Sequence, residues 1–415
     1  MLAAPVAAAD SPCGADHFVA SWAAAPTDSV TPMDSLGAPV PLGLNDQTLR
    51  MVIAPHRGGG QSRVHLSNRF GTTPVTFGRV TLGRQSAGPA VGDIGNVTFG
   101  GAPSVTLAPG TDLVSDPLSL PFAAFEPLVV SMHVAGPTGP PTKHWNANAT
   151  SYYAPPGSGD LTGQPGGAGF SATTGSWLYV SGLDVLAGPQ TRSVVAFGDS
   201  ITDGFVAAGG FSVPSAGSVV DVNGRYPDDL QRRIDAAGMP ISVVNAGIGS
   251  NRLRSSGEPL LMGPSGIQRF QRDALDQPGV GGVVLMEGIN DLGFPPAASA
   301  DEMIAAHRRI IADTHAAGRR IWLGTITPAA NSLVDGIATA PNSETSRRRI
   351  NDWIRTQTEA DGVIDFDAAV RDPGNPSVLN PEYSGPDHLH PNLAGYRAMA
   401  DAVDLDLLGS VTPRC

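Results

Sequence analysis

Ser200 stands in the run Phe197-Gly198-Asp199-Ser200-Ile201-Thr202-Asp203-Gly204, and Asp387-His388-Leu389-His390-Pro391 lies far downstream. A serine hydroxyl is a poor nucleophile until a base takes its proton, and the base needs a partner that fixes its tautomer. His390 and Asp387, three residues apart, are of the types that supply both. The chemistry implied is acyl transfer through a covalent serine intermediate. Serine is also a common helix N-cap at a strand-to-helix junction, so the first segment alone does not decide.

Together these segments resemble the SGNH (GDSL) hydrolase family. Ser200 matches the nucleophile of its Gly-Asp-Ser block, and Asp387 and His390 match its closing Asp-x-x-His block. The resemblance implies two further blocks that hold an oxyanion. Asn245-Ala246-Gly247-Ile248-Gly249-Ser250-Asn251 fits the second, which in the family offers a backbone N–H from a glycine. Aligned on Asn245, that glycine falls at Ser250. A non-glycine residue is restricted at positive φ, so Gly249 stands as the alternative donor. Gly288-Ile289-Asn290-Asp291 fits the third block, whose asparagine side chain is the remaining donor; Asn290 matches it. The four blocks occur in order and cover only the second half. The closest likeness is to secreted esterases of the family that carry an extra N-terminal β domain. The pattern is not that of α/β-hydrolases, which want Gly-x-Ser-x-Gly at the elbow. Neither metal nor organic cofactor is implied.

These residues need a scaffold that brings distant segments to one edge. In the second half, short apolar runs alternate with amphipathic stretches, the signature of a parallel sheet covered on both faces. Strands are predicted at Val194–Phe197, Ile241–Asn245, Gly282–Met286, Arg320–Gly324 and Gly362–Phe366. Helices are predicted at Tyr226–Ala237, Ser265–Asp276, Asp301–Ala317, Glu344–Glu359 and Asn392–Leu408. Five strands so connected suit a flavodoxin-like α/β fold, in which ligands sit at the carboxyl ends of the strands. Phe205 to Arg225 is longer than a first crossover needs and reads as an insertion at the rim of the site.

The first half reads differently. Alternating runs such as Thr48–Ile53, Ser62–Ser67, Val75–Phe77, Asn96–Phe99, Ser104–Leu107 and Leu128–Val134 recur between turn residues, as in a β-sandwich or jelly roll. Trp177–Val185 reads as a strand that returns to this half or joins the two. The domains expected are therefore a β-rich one over 10–190 and a hydrolase over 191–415. Trp22, Lys143, His144, Trp145, Tyr152 and Tyr153 could line a substrate rim, but packing of the domain or its interface is the favoured reading.

The chain has 415 residues and a net charge of −12, which argues against nucleic acid or an anionic membrane surface as partner. No apolar run approaches the ~20 residues that span a bilayer. Residues 1–9 look like the tail of a secretory signal peptide or a disordered terminus, and export is expected. On that reading Cys13 and Cys415 are expected to pair. His307 and His315 lack the spacing of a metal-ligand pair. The function expected is a secreted esterase acting on short-chain or acetyl esters or O-acylated carbohydrate. An acyltransferase or lipase with the same triad, and a binding module on an inactive scaffold, are the alternatives. The sequence leaves the oligomeric state open.

Overall fold

The computed structural model describes residues 14–255, 263–332 and 343–413. The terminal segment 1–9 and both cysteines, Cys13 and Cys415, lie outside the described residues.

The second half holds a parallel sheet of five strands among the described residues: Arg192–Gly198, Ile241–Gly247, Val280–Met286, Arg320–Gly324 and Gly362–Ile364. Numbered along the chain, their spatial order is 2-1-3-4-5, the flavodoxin-like order. The strands are apolar on both faces because both are covered. Val194, Val195 and Phe197 are fully buried, and Val194 sits opposite Val243 on one side and Gly282 on the other. The order reverses beside the first strand, and right-handed crossovers then send helices to both faces. Helix Tyr226–Ala236 accordingly packs with Leu393–Asp401, and Ala300–Ala316 with Ser343–Thr356. The reversal leaves a crevice at the carboxyl ends of the first and third strands, where the Ser200 and Asn290 blocks begin.

The first half is largely β. Two antiparallel sheets, with strand cores such as Val180–Ala187 and Gly59–Ser67 in one and Gln47–Ile53, Leu128–Val134 and Val75–Ala87 in the other, contribute to one hydrophobic cluster. The strand His17–Ala23 was not expected from its small residues. It pairs antiparallel with Val180–Ala187, and its two faces serve different cores. Val19 and Trp22 enter the cluster of the β half, whereas Ala20, Ala23 and Ala25 enter that of the α/β half. Alanine suits the second face because the chains approach closely there: the Ala20 N–H donates to Pro278 O at 2.8 Å.

Several boundaries differ from expectation for local reasons. Trp177–Val185 divides at Tyr179, which takes φ +59 between two strands. The fifth parallel strand stops at Ile364 because Asp365 caps a short helix, accepting from the Ala368 N–H. The helix from Ser265 passes into a π turn over Gln271–Leu275. The last helix is two, Leu393–Asp401 and Leu405–Gly409, the second capped by Asp404.

Candidate active site

Each residue of Gly198-Asp199-Ser200 has a separate structural task. A Cβ on Gly198 would stand 2.2 Å from Met286 O and 2.3 Å from Thr202 Oγ1, so only glycine fits where the turn folds back onto the third strand. Asp199 caps the four-residue helix Ser200–Asp203, accepting from the Ile201 N–H at 3.0 Å. Burial pushes its carboxyl up to about 6, against the hydrogen bond from Ile201 and the field of His390. Gly204 ends the helix at φ +84, with its N–H on Ser200 O.

Ser200 is then held against the Asp387–His390 turn. Ser200 Oγ lies 2.8 Å from His390 Nε2, and His390 Nδ1 lies 2.6 Å from Asp387 Oδ2. An ionised Asp387 can only accept, so Nδ1 carries the proton and Nε2 is free to accept from the serine hydroxyl. The spacing of three works because the turn closes on itself: Gly385 N–H donates to His390 O at 2.7 Å, and Asp387 Oδ1 accepts from the backbone N–H groups of Leu389 and His390. His388, at the bend, takes φ +59. Burial opposes ionisation of Asp387, but the hydrogen bond and charge of His390, with its backbone N–H and the Ser212 hydroxyl, hold it well below the usual carboxylate range. Ser200, Asp387 and His390 are all buried, and the ring of Phe205 leans on His390 at 4.9 Å between centroids.

The two middle segments meet beside them. Ser250, not Gly249, occupies the left-handed backbone position, at φ +58. Gly249 packs close to the Trp145 ring, where a Cβ would come within 3.3 Å. Asn290 follows Gly288, whose φ of +142 and crowding by Met303 need glycine. The Asn290 side chain donates to Asn251 O at 2.9 Å and so ties the third segment to the second. The structure thus brings Ser200, His390 and Asp387 into one chain of contacts and fastens Asn290 to the loop that carries Gly249 and Ser250.

Sequence reasoning missed the group that holds the strand ends together. Arg269, buried on the helix Gly266–Phe270, donates to Gly198 O at 2.8 Å, Ala246 O at 2.6 Å and Asn251 Oδ1 at 2.7 Å, with its guanidinium 3.8 Å over the Phe197 ring. Its partners are mostly carbonyls, which no side-chain motif announces. Behind it Glu287 is buried 3.8 Å from Arg269, and neither of its oxygens accepts a hydrogen bond among the described residues. Burial pushes Glu287 up to about 8, against the pull of Arg269. Asp291 accepts from the N–H groups of Leu253 and Arg254 and anchors the far end of the second segment. The Asn-Asp pair was visible in sequence; this anchoring task was not.

The aromatic and basic residues singled out in the first half pack rather than line a rim. Lys143 is buried against Asp28 at 2.8 Å, His144 reaches Asp203 Oδ1 at 3.0 Å, and Trp145 stacks on Phe205. Trp22 meets Trp177 edge-on, and Tyr152 and Tyr153 pair in a strand with Arg50 and Leu49. Cavities of about 380 and 420 Å³ lie between the halves, and neither is lined by Ser200, Asp387 or His390. In the first, several wall groups bond to protein groups: His56 bonds Asp228 Oδ1 and Val243 O, and Arg225 donates to Asp203 O.

A parallel sheet in the order 2-1-3-4-5, with a serine at its reversal point facing a histidine from the last turn, is a flavodoxin-like arrangement of the Gly-Asp-Ser hydrolase type. Residues 196–398 match the model of the GDSL-like lipase/acylhydrolase family, a GDSL-like domain within the second half of the chain. Solved structures are similar over about half of the chain. The lipase/acylhydrolase from Enterococcus faecalis is 21% identical, with 54% of this chain covering 100% of that one at a TM-score of 0.39. The aryl esterase of M. smegmatis is 14% identical, with 51% of this chain covering 96% of it at 0.41. A carbohydrate acetylesterase from Sinorhizobium meliloti is 12% identical, with 51% covering 96% at 0.39. A comparison with the curated proteins returned no match.

Proposed function

We propose that the protein is a serine esterase that hydrolyses carboxylic esters through an acyl-enzyme on Ser200. The observation that carries this reading is the chain of short contacts from Ser200 Oγ to His390 Nε2 and from His390 Nδ1 to Asp387 Oδ2, at 2.8 and 2.6 Å. His390 takes the Ser200 proton as the oxygen attacks the ester carbonyl, and Asp387 orients the ring and stabilises the imidazolium. The tetrahedral oxyanion is held by the backbone N–H of Ser200, by the loop N–H at Ser250 and by Asn290. Ser250 is preferred over Gly249 because it adopts the left-handed backbone that the family's glycine is suited to. An asparagine amide has two N–H donors, and Asn251 O occupies one. His390 then returns the proton to the leaving alcohol, and water repeats the sequence on the acyl-enzyme.

The substrates proposed are esters with small acyl groups, including O-acylated carbohydrate. The four short sequence blocks that match the family, with no long apolar segment in the chain, favour small acyl groups over lipid esters. Export to the cell exterior belongs to the same proposal; it rests on the apolar, small-residue run at 1–9.

The test is turnover of aryl esters of increasing acyl length by wild type and by Ser200→Ala, with folding checked for both. The expected outcome is wild-type activity greatest on the short esters and a loss of several orders of magnitude in the variant. Activity retained by Ser200→Ala would remove the nucleophile assignment.

A further inference from the structure

We propose that Ser212 is a positioning residue of the reaction, acting through Asp387, and that it makes the rim segment after Gly204 part of the catalytic apparatus. This rests on the esterase reading above and adds a further side chain to it.

The segment is a short ribbon. Ala207 and Ser215 form an antiparallel bridge, Ala208 N–H donates to Pro214 O and Ala216 N–H to Val206 O. Its base is fixed by the rest of the molecule: Ser215 N–H donates to Ser35 O in the β half, and the Tyr396 hydroxyl donates to Phe205 O. Its tip carries Phe211 and Val213, which are 71% and 54% exposed, with Ser212 turned inward between them. The Ser212 hydroxyl donates to Asp387 Oδ2 at 2.7 Å. That is the oxygen that accepts the hydrogen bond from His390 Nδ1–H, while Oδ1 is already held by two backbone N–H groups. Both oxygens of the carboxylate are therefore engaged, and among the described residues the only side-chain hydroxyl bonded to them comes from the ribbon.

Two consequences follow from the chemistry of a shared acceptor. First, the bond fixes the rotamer of Asp387, and through it the plane of the imidazole that faces Ser200. Second, it withdraws part of the charge on Oδ2. Without it, Oδ2 draws the Nδ1 proton more strongly, the imidazolium gains stability, and His390 stays protonated to higher pH. The ionisable groups coupled to this pair are Asp199, which feels the charge of His390, and Tyr396 from the Leu393–Asp401 helix, which feels that of Asp387; Asp203, Asp291 and Arg225 act in turn on those two. None changes when Ser212 is replaced, so a moved pH profile reports the hydroxyl.

The experiment is the pH dependence of kcat and KM for an acetyl aryl ester with wild type, Ser212→Ala and Ser212→Thr, after thermal melts show all three folded. Ser212→Ala is expected to lower kcat by about 3- to 30-fold with KM changed by less than about threefold, and to move the acidic limb of kcat/KM up by several tenths of a pH unit. Ser212→Thr, which keeps the hydroxyl, is expected to restore both the rate and the limb. A Ser212→Ala enzyme whose rate and limb match wild type would overturn the proposal. So would a rate loss with an unmoved limb that threonine does not rescue, since that is the mark of a disturbed ribbon. A wild type with no Ser200-dependent ester hydrolysis would instead refute the esterase reading itself, and the two failures are distinct.

Discussion

Asn290 has one amide hydrogen on Asn251 O and a second that, among the described residues, donates to no partner, and this division argues for its role. If the free N–H serves the oxyanion, Asn290→Ala removes a donor aimed at charge that exists only in the transition state. The expected outcome is a fall in kcat of about 10²–10³ with KM little changed, measured by steady-state kinetics on the best aryl ester. A fall of less than about tenfold in a folded variant would count against it. The residues proposed to do chemistry were legible in the sequence because each sits in a short block with a recognisable neighbour: Ser200 after Gly198-Asp199, His390 after Asp387, Asn290 before Asp291. Those with a structural task were not. Arg269, Glu287 and Ser212 act on carbonyls or on a carboxylate that only the folded chain brings near, and their sequence surroundings are ordinary. The Ser250 position lay between: the departure from glycine was visible, but only the backbone shows that serine takes φ +58 there.

The elements were legible where a single force decides them. A strand buried on both faces must be apolar throughout, so the five parallel strands were found to within a few residues. Prediction failed where a strand serves two cores with alternating large and small residues, as in His17–Ala23, and where a local cap cuts an element short, as Asp365 does. The end of the third parallel strand carries a testable consequence. Glu287 is pushed up to about 8 from an ordinary value of 4.5 by burial. Below the lower value both folded and unfolded chains hold the proton. Between the two only the folded chain does, so the contribution of this residue to stability falls as pH rises, by about 1.4 kcal/mol per unit, and levels off above about 8. Glu287→Gln keeps the shape and removes the titration. The advantage of the variant over wild type in urea midpoint is therefore expected to grow from pH 5.5 to pH 8.5. A difference that stays constant across that range would show that Glu287 does not titrate within it.

At the scale of the whole molecule, the β half clamps the other half at the helix that Ser200 opens. His144 bonds Asp203 at the end of the Ser200 helix, Asn148 Nδ2 donates to Gly204 O at 2.7 Å, and Arg225 donates to Ala147 O. The strand His17–Ala23 adds side chains to both cores. Two units joined by a strand common to both cores and by buried polar contacts cannot separate without exposing both. A single calorimetric transition is therefore expected, with calorimetric and van't Hoff enthalpies in a ratio of about one. Two resolved transitions would show that the halves unfold independently. The same clamp can be loosened at one point. In His144→Ala the buried Asp203 carboxylate loses its one side-chain partner, since its Oδ2 accepts no hydrogen bond among the described residues. Leaving that group unpaired should cost about 2–4 kcal/mol in urea unfolding. Because Asp203 closes the helix that Ser200 opens, kcat should fall with it although His144 touches no reacting atom. A variant that loses the stability yet keeps full kcat at a temperature where it is folded would show that the β half steadies the molecule without steadying the nucleophile.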